Sequence, residues 1–371
     1  MMHGGAGVVD LMLTGSFLFK PAPTIAEMLD RHQGNTSGFD YLRIILASLV
    51  LFFHCFDVVD GKAVSFWLHA RPLMVWVVPV FFSLSGFLLA QSLERNHSLR
   101  VYALNRGIRI MPALAVEVLL SALLLGPLFT TLPLASYFSD PKFWSYWANI
   151  IGWVHFELPG VFENLPWPGI VNRSIWTVPY EMSAYAALGL LVYFGLWRQR
   201  WLVILMLAYT AVAATAFMIE RWDYYIVRPA PPMQLIVCFM CGALLYQFRA
   251  HIRISVPLVG MALIWFLTFL PYYQTAFVWA PAGAYLTVAF GLLNPPRVAP
   301  VSWGDYSYGI YLFAYPIQQA VVALWPGVNA WQVFALAMPV CFIYAMFSWH
   351  CVEKPLISRR HLIAKRLFGA R

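Results

Sequence analysis

The chain has 371 residues, of which 61% are hydrophobic and 11% are charged, and its mean hydropathy is +0.69. Because an ordinary soluble domain is about 25% charged, this composition argues against a soluble enzyme and indicates an integral membrane protein. The net charge of +8 is spread over short loops and the C-terminal tail, which argues against a nucleic-acid partner.

The predicted elements begin with an N-terminal extension at 1–40, and a series of apolar windows follows it. The extension contains an apolar patch at 8–19 that is too short to span a bilayer and lacks the basic region of a signal peptide. Each later window is bounded by charges, proline or glycine. The windows lie at roughly 41–59, 73–92, 108–130, 175–195, 201–218, 233–248, 256–271, 276–292, 306–324 and 331–349. The sequence therefore predicts an all-α, polytopic membrane protein with about ten transmembrane helices.

The distribution of basic residues predicts the orientation of these helices. With the N-terminus in the cytoplasm, eighteen of the 24 Lys and Arg residues fall on the inner side, as the positive-inside rule requires. We therefore expect a multi-pass protein of the inner (plasma) membrane, surrounded by the lipid bilayer, with both termini cytoplasmic. The expected organisation is a cytoplasmic extension at 1–40, a membrane domain at 41–350 and a basic cytoplasmic tail at 351–371.

A segment at about 131–174, predicted to lie on the outer side, contains Trp144, Trp147, Trp153 and Trp167 among prolines and glycines. These tryptophans are typical of an aromatic belt at the headgroup level. A cap over a cavity, with one indole stacking on a sugar, is the alternative interpretation.

The first window carries two polar residues on one face. An α-helix turns by about 100° and rises about 1.5 Å per residue, so Arg43 and His54 align about 16 Å apart along the axis. Charged residues in spanning helices usually face the protein interior or an aqueous cavity. Near neutral pH a histidine can take a proton from a hydroxyl and return it to a leaving group. A lone histidine on an apolar helix is more often structural, and it is the alignment with Arg43 that strengthens the catalytic interpretation.

Three further residues are candidates for chemistry. Arg106 and Arg109, three residues apart, are expected at the cytoplasmic start of the third spanning helix, where guanidinium groups and free amides suit phosphate binding. Ordinary positive-inside anchoring explains them equally well. Glu181, expected on the same side as His54, could orient its imidazole or could form a structural hydrogen bond.

Other polar or small residues have a simpler interpretation. Cys238 and Cys241 lie in an apolar helix without a histidine or carboxylate cluster, so we assign them to packing and expect no metal. Ser85 and Gly86 are expected to permit close contact between helices. Glu353 lies in a Glu-Lys-Pro sequence that is predicted to end the last spanning helix, and a functional role for it is the less favoured interpretation.

The sequence resembles the acyltransferase 3 family of integral membrane acyltransferases, which O-acylate cell-surface glycans and other extracytoplasmic or exported acceptors. The resemblance runs in the same order from about residue 39 to about 358 and implies a role for each matching residue. His54 would be catalytic with Glu181, and Arg43, Arg106 and Arg109 would bind the acyl donor. It is carried by Arg-x10-His in the first window, FFSLSGFLLAQSLER followed by LNRGIRIMP, SIWTVPYEM, and DYSYGIYLFAYPIQQ with the terminal VEKP.

The resemblance implies a membrane O-acyltransferase that uses acetyl-CoA or another short acyl-CoA as donor and a carbohydrate as acceptor. His54 would act as general base, and a transient acyl-histidine is the mechanistic alternative. One departure is that many members have a histidine where this chain has Ala314 followed by Tyr315. From the residues alone, a transporter or flippase of a lipid-linked sugar remains the alternative function, since it too would use a few buried ionisable groups. A membrane scaffold without chemistry fits poorly with aligned intramembrane charges.

Overall fold

A computed structural model of the chain describes residues 22–61, 65–95, 98–201, 232–269 and 276–369, together with most of 203–212. Within these ranges the protein is helical, with three isolated β-bridges and no β-strand. The helices are α1 (Ile25–Arg31), α2 (Ser37–Asp60), α3 (Ser65–Arg95), α4 (Leu99–Leu120), α5 (Leu134–Ser139), α6 (Pro141–Tyr146), α7 (Val178–Tyr193), α8 (Pro232–Gln247), α9 (Val256–Phe269), α10 (Ala276–Gly291), α11 (Ser307–Leu324), α12 (Ala330–Phe347) and α13 (Lys354–Phe368).

The all-helical membrane class is confirmed for the described residues, but the count of about ten spanning helices is not. Among the described residues, four segments are long and apolar enough to cross a bilayer, and three apolar helices are shorter. Helices α8 and α10 have 16 residues each, or about 24 Å of length against about 30 Å of hydrocarbon. Half of the predicted window 201–218 lies outside the described residues. The four long segments are Ser37–Asp60, Trp76–Arg95, Leu99–Phe129 and Ala330–Phe368.

Helix α2 lies among α3, α10, α11 and α12. Its apolar side chains, including Leu51 and Val58, are buried against these neighbours. His54 and Asp57, one turn apart near its C-terminal end, are buried as well. The helix ends at Gly61, whose positive φ of 57° a glycine adopts without steric cost. These two buried titratable side chains are therefore at the end of the helix opposite Arg43.

Helices α3 and α8 cross at two glycines. A Cβ atom at Gly86 would collide with the backbone carbonyl of Phe239, and one at Gly242 would collide with the carbonyl of Ser83. Only residues without a side chain permit this approach of two backbones. The expectation that Gly86 permits close helix contact is thus confirmed.

Helix α4 begins at Leu99, nine residues before the start of the predicted window. The Ser98 hydroxyl caps it by accepting a hydrogen bond from the N–H of Val101. Arg106 therefore lies in the third turn and Arg109 at the start of the fourth, and the free amides at the helix N-terminus are about 10 Å or more away. The expected arrangement of these arginines at a helix N-terminus is wrong. Helix α4 continues through a π-helical turn, Ser121–Leu125, to Phe129.

The last spanning helix does not end at the Glu-Lys-Pro sequence. A π-helical turn, Ser348–Glu353, joins α12 directly to α13. Pro355 is then at the second position of α13, where the missing N–H of proline does not interrupt a helix. The basic tail expected at 351–371 is therefore mostly helical, and its helix packs against α4.

The segment between α4 and α7 folds compactly on one end of the helices. It contains α5, α6 and two short 3₁₀ helices, Trp147–Ile151 and Ser174–Thr177. The second 3₁₀ helix, called here the 174–177 turn, leads directly into α7 and contacts α11. Candidate site residues lie on both sides of this turn, as described in the next section.

Candidate active site

One cavity brings together four of the five predicted site residues. Arg43 of α2, Arg106 and Arg109 of α4, and Glu181 of α7 all line it. Its empty volume, including the space of its open mouth, is about 850 Å³. Phenylalanines, leucines and other apolar side chains form much of the wall. Its other polar lining residues are Ser85, Thr177, Tyr185, Ser307, Tyr308 and Tyr311.

Arg109 is held by two carboxylates. Its Nη2 atom lies 2.7 Å from Asp305 Oδ2, and its Nη1 atom lies 2.5 Å from Glu353 Oε2. Glu353 is fully buried and also accepts a hydrogen bond of 2.9 Å from the hydroxyl of Ser348. Because both terminal nitrogens are engaged, Arg109 connects α4 to the segment before α11 and to the end of α12.

Asp305 also binds the arginine of the first spanning helix. Arg43 Nη1 lies 3.2 Å from Asp305 Oδ2 and 3.8 Å from Asp40 Oδ1. Burial raises the pKa of Asp305, but Arg109 and Arg43 outweigh it and lower the pKa to about 2. The carboxylate is therefore ionised at neutral pH, where it neutralises part of the charge of two guanidinium groups.

Arg106 differs from the other two arginines of the cavity. Among the described residues it has no carboxylate partner, and its Nε atom is buried without a hydrogen bond. Its electrostatic neighbours include the hydroxyl groups of Tyr102 and Tyr185 and the carboxyl group of Glu181. The side chain is partly buried and forms no ion pair among the described residues, so this guanidinium is suited to an anion from outside the chain.

Glu181 belongs to the cavity and not to the surroundings of His54. Its Oε1 atom accepts a hydrogen bond from the hydroxyl of Tyr185, one helical turn along α7. No hydrogen bond joins Glu181 to His54, although both residues are described. The expected direct orientation of the imidazole by this carboxylate is therefore not what the structure shows.

His54 lies outside the cavity, behind the 174–177 turn. Its side chain is buried, with Nδ1 3.5 Å from the hydroxyl oxygen of Ser174, and its ring packs edge-to-face on Tyr315 at 5.2 Å between centroids. The hydroxyl of Tyr311, which lines the cavity, contacts Thr177 Oγ1 at 2.7 Å and donates to the backbone carbonyl of Ser174 at 2.9 Å. Tyr311 and this turn thus separate the cavity from His54.

A cluster beyond His54 was not selected by the sequence analysis. Asp57, one turn further along α2, forms an ion pair of 3.0 Å with Arg173, and the indole N–H of Trp167 donates to both its backbone and its side chain. The guanidinium carbon of Arg173 lies 4.3 Å from the centroid of the Trp167 ring. These contacts fasten the segment between α4 and α7 to the end of α2.

A second acid that was not predicted from the sequence is Glu117, in the last turn of α4. It is fully buried, and its Oε1 atom accepts hydrogen bonds of 2.8 Å from Ser121 and from Asn172. An acidic residue inside an apolar spanning window was the available signal for both Glu117 and Asp57.

No metal centre is assembled in the part of the chain that the structure describes. No group of three or more His, Cys, Asp or Glu side chains there could hold a metal ion. All five cysteines are free, and Cys238 and Cys241 are buried among apolar neighbours. That the reaction needs no metal stays a prediction.

Comparison with known proteins identifies the family. The sequence matches the acyltransferase 3 family, described as an acyltransferase domain, over residues 36–350. The chain belongs to the acyltransferase 3 family. The matched range includes Arg43, His54, Arg106, Arg109 and Glu181, and it ends three residues after α12. The resemblance noted from the sequence motifs is thereby confirmed, and with it the prediction that this chain is an enzyme that transfers acyl groups.

Three curated relatives of this acyltransferase 3 protein are informative. It is 28% identical to "Nodulation protein 10" of Rhizobium leguminosarum bv. viciae, over 91% of this chain and 98% of that protein. It is 26% identical to an "O-acetyl transferase" of Shigella phage Sf6, over 88% of this chain and 97% of that protein. It is 24% identical to the "Peptidoglycan O-acetyltransferase OatA" of Listeria monocytogenes, over 75% of this chain and 50% of that protein. The two acetyltransferase names support the O-acetyltransferase class. No solved structure matches the chain.

Proposed function

We propose that this family member transfers an acetyl or other short acyl group from cytoplasmic acyl-CoA to a hydroxyl group of an extracytoplasmic or exported carbohydrate. In this proposal the chain has about ten spanning helices, both termini in the cytoplasm, and a location in the inner (plasma) membrane. Residues 41–350 would be the transferase domain, with 1–40 and 351–371 as its cytoplasmic extension and tail. The names of the two acetyltransferase relatives support an acetyl group.

The observation that carries the proposal is the unpaired guanidinium of Arg106 in the arginine-lined cavity. Phosphate and pyrophosphate groups, such as those of CoA, are anions that a guanidinium fork binds well. Arg43 and Arg109 already face carboxylates, so their proposed contribution to donor binding is partly to shape the cavity wall. The apolar and aromatic wall suits the uncharged pantetheine arm of the donor.

The proposed chemistry takes place at His54. Because Nδ1 faces Ser174, Nε2 is the nitrogen that is free to accept the proton of the acceptor hydroxyl. The acceptor oxygen then attacks the thioester carbonyl carbon, the carbon–sulfur bond breaks, and the imidazolium returns the proton to the leaving thiolate. In the alternative with a transient acyl-histidine, the same nitrogen attacks the thioester first.

Glu181 remains a proposed catalytic residue, but it would act from the cavity side. Its carboxyl group faces the same space as the three arginines, and the Tyr185 hydroxyl fixes its position. For the acyl group to reach His54, the side chain of Tyr311 has to leave its place between the cavity and the 174–177 turn. The hydrogen bonds of Tyr311 to Thr177 and Ser174 would then be exchanged for contacts with the donor.

The test is transfer of label from acetyl-CoA to carbohydrate. Purified protein in nanodiscs is incubated with [¹⁴C]acetyl-CoA, with and without a glycan extract of the host, and the carbohydrate fraction is then counted and treated with mild base. The proposal predicts base-labile label in the carbohydrate that depends on protein and extract. Intact protein that leaves every carbohydrate unlabelled with acetyl-CoA and with longer acyl-CoA donors would contradict it.

A further inference from the structure

The buried acid Glu117 is not explained by donor binding or by the chemistry at His54. It lies in the spanning segment Leu99–Phe129 and has no exposed surface. A carboxyl group at such a position is expensive, so its partners indicate what it does. Its Oε1 atom accepts two hydrogen bonds, whereas Oε2 is buried without a partner among the described residues. Only one oxygen atom of the Glu117 carboxyl group thus forms hydrogen bonds with the described residues.

One of the two donors to Glu117 is Asn172, which is also fully buried. The Asn172 amide nitrogen lies 2.8 Å from Glu117 Oε1 and 2.8 Å from the backbone carbonyl of Leu312. Its amide oxygen accepts a hydrogen bond of 3.0 Å from the backbone N–H of Ser174. With all three bonds made, Asn172 fixes the beginning of the 174–177 turn against α4 and α11.

The 174–177 turn contacts both His54 and the wall of the donor cavity. At its first residue the Ser174 hydroxyl faces Nδ1 of His54, and at its last residue Thr177 contacts Tyr311 in the cavity wall. Any shift of Asn172 would therefore change the position of His54's partner and of the residue that separates His54 from the donor cavity. A displacement of about 1 Å in a catalytic arrangement can cost about 100-fold in rate.

We propose that Glu117 is a positioning residue of the acyl-transfer site, which acts by holding Asn172 and, through Asn172, the 174–177 turn between His54 and the donor cavity. The inference rests on the proposed function for its catalytic readout. Only the acceptor oxygen Oε1 is needed for this role. Glutamine retains that oxygen, so its substitution separates positioning from a role that needs the negative charge.

The first test compares Glu117→Gln, Glu117→Ala and Asn172→Ala in the labelled acetyl-transfer assay. Glu117→Gln should retain activity, and Glu117→Ala should lower kcat about 10- to 100-fold with KM for acetyl-CoA unchanged. In the Asn172→Ala background, Glu117→Ala should lower kcat no further, because the two residues act in one chain of contacts. Equal loss in the Gln and Ala variants, or additive losses in the double variant, would overturn the proposal.

Ser121→Ala is the matched control. It removes the other hydrogen bond to Glu117 Oε1, also 2.8 Å long, without touching Asn172. It should retain kcat, and a loss as large as that of Glu117→Ala would overturn the proposal. If Glu117→Ala does not assemble in the membrane, a second pair of variants, in which the hydrogen-bond donor and acceptor are exchanged between residues 172 and 117, replaces it. Asn172→Asp should lose activity, and adding Glu117→Gln should restore part of it, since the new amide supplies the missing donor; no restoration would count against the proposal.

Hydrogen exchange tests the anchor separately from catalysis. The backbone amide of Ser174 is bonded to Asn172, so peptides covering 172–180 should exchange faster in Glu117→Ala than in wild type, and not faster in Glu117→Gln. If the variants show this exchange pattern but the wild-type protein has no transfer activity, the proposed function is refuted, whereas the role of Glu117 in holding the 174–177 turn is retained. Unchanged exchange in Glu117→Ala, or faster exchange with full kcat, would refute the positioning role alone.

Discussion

Arg106 and Arg109 lie one turn apart in the same cavity, yet the structure predicts different effects when each is replaced by alanine: a loss of protein stability for Arg109 and a loss of donor affinity for Arg106. Arg109→Ala leaves the buried carboxylate of Glu353 and the partly buried carboxylate of Asp305 without their shared guanidinium. Removing one partner of such a buried pair costs about 3–5 kcal/mol. We therefore expect Arg109→Ala to lower the stability of the protein strongly.

Arg106→Ala removes a cation that has no carboxylate partner among the described residues, so stability should change little. A hydrogen bond to a charged group is worth about 1.5–3 kcal/mol, and each 1.4 kcal/mol is about tenfold in affinity. The dissociation constant for acetyl-CoA should thus rise by about 10- to 150-fold.

The assay measures acetyl-CoA binding by equilibrium dialysis and unfolding by intrinsic tryptophan fluorescence, both in nanodiscs. Arg100→Ala is the matched control, because Arg100 is exposed two turns earlier on the same helix α4, and it should change neither quantity. Arg106→Ala with unaltered donor affinity would refute the assignment of Arg106 to the donor. Arg109→Ala as stable as wild type would refute the structural role of the Arg109 ion pairs.

Three further predictions concern the packing and the charges around the site. Gly86→Ala should prevent assembly of the protein, because the added Cβ would collide with the backbone of α8. The measurement is the monodisperse fraction in size-exclusion chromatography, and Gly107→Ala, which has open space around it, should assemble normally. Equal monodisperse fractions for the two variants would contradict the close contact of α3 with α8. Arg109 and Arg43 lower the pKa of Asp305 to about 2 against the effect of burial, so the ionised carboxylate stabilises the protein above about pH 4 and loses this effect as the pH falls towards 2. The stability difference between wild type and Asp305→Asn should therefore be constant from about pH 8 to 5, and a difference already lost at about pH 6 would contradict this. Trp167→Phe, which removes the indole N–H donor to Asp57, should lower stability by about 1 kcal/mol, measured by urea unfolding in detergent, and no change would show that this contact is not needed.

The helical class and most helix positions could be predicted because apolar windows are a strong signal in a membrane protein. Helix ends were predicted less well, since hydropathy does not detect where a helix begins in polar sequence. Helix α4 starts at a serine cap inside a basic stretch, and α12 continues past a proline through a π-helical turn. Both features depend on hydrogen bonds of individual residues.

The sequence motifs suggested Arg43, Arg106, Arg109 and Glu181 as site residues, and the structure places these four in one cavity. The ion pairs of Arg109 could not be predicted in the same way. Its partners lie 196 and 244 residues further along the chain, and no spacing rule connects such positions. The separation of His54 from Glu181 likewise depends on how the 174–177 turn packs, which neither helical periodicity nor motif order determines.

In the proposed reaction, the acyl group passes from a donor on one side of the membrane to an acceptor on the other side by way of His54. The most direct measurement uses proteoliposomes of uniform orientation, with the glycan extract trapped inside and [¹⁴C]acetyl-CoA added only outside, on the side of the arginine-lined cavity. We expect labelled carbohydrate inside the proteoliposomes for wild type and none for His54→Ala, which should still bind acetyl-CoA. Equal labelling by His54→Ala, or labelling that requires donor and acceptor on the same side, would contradict it.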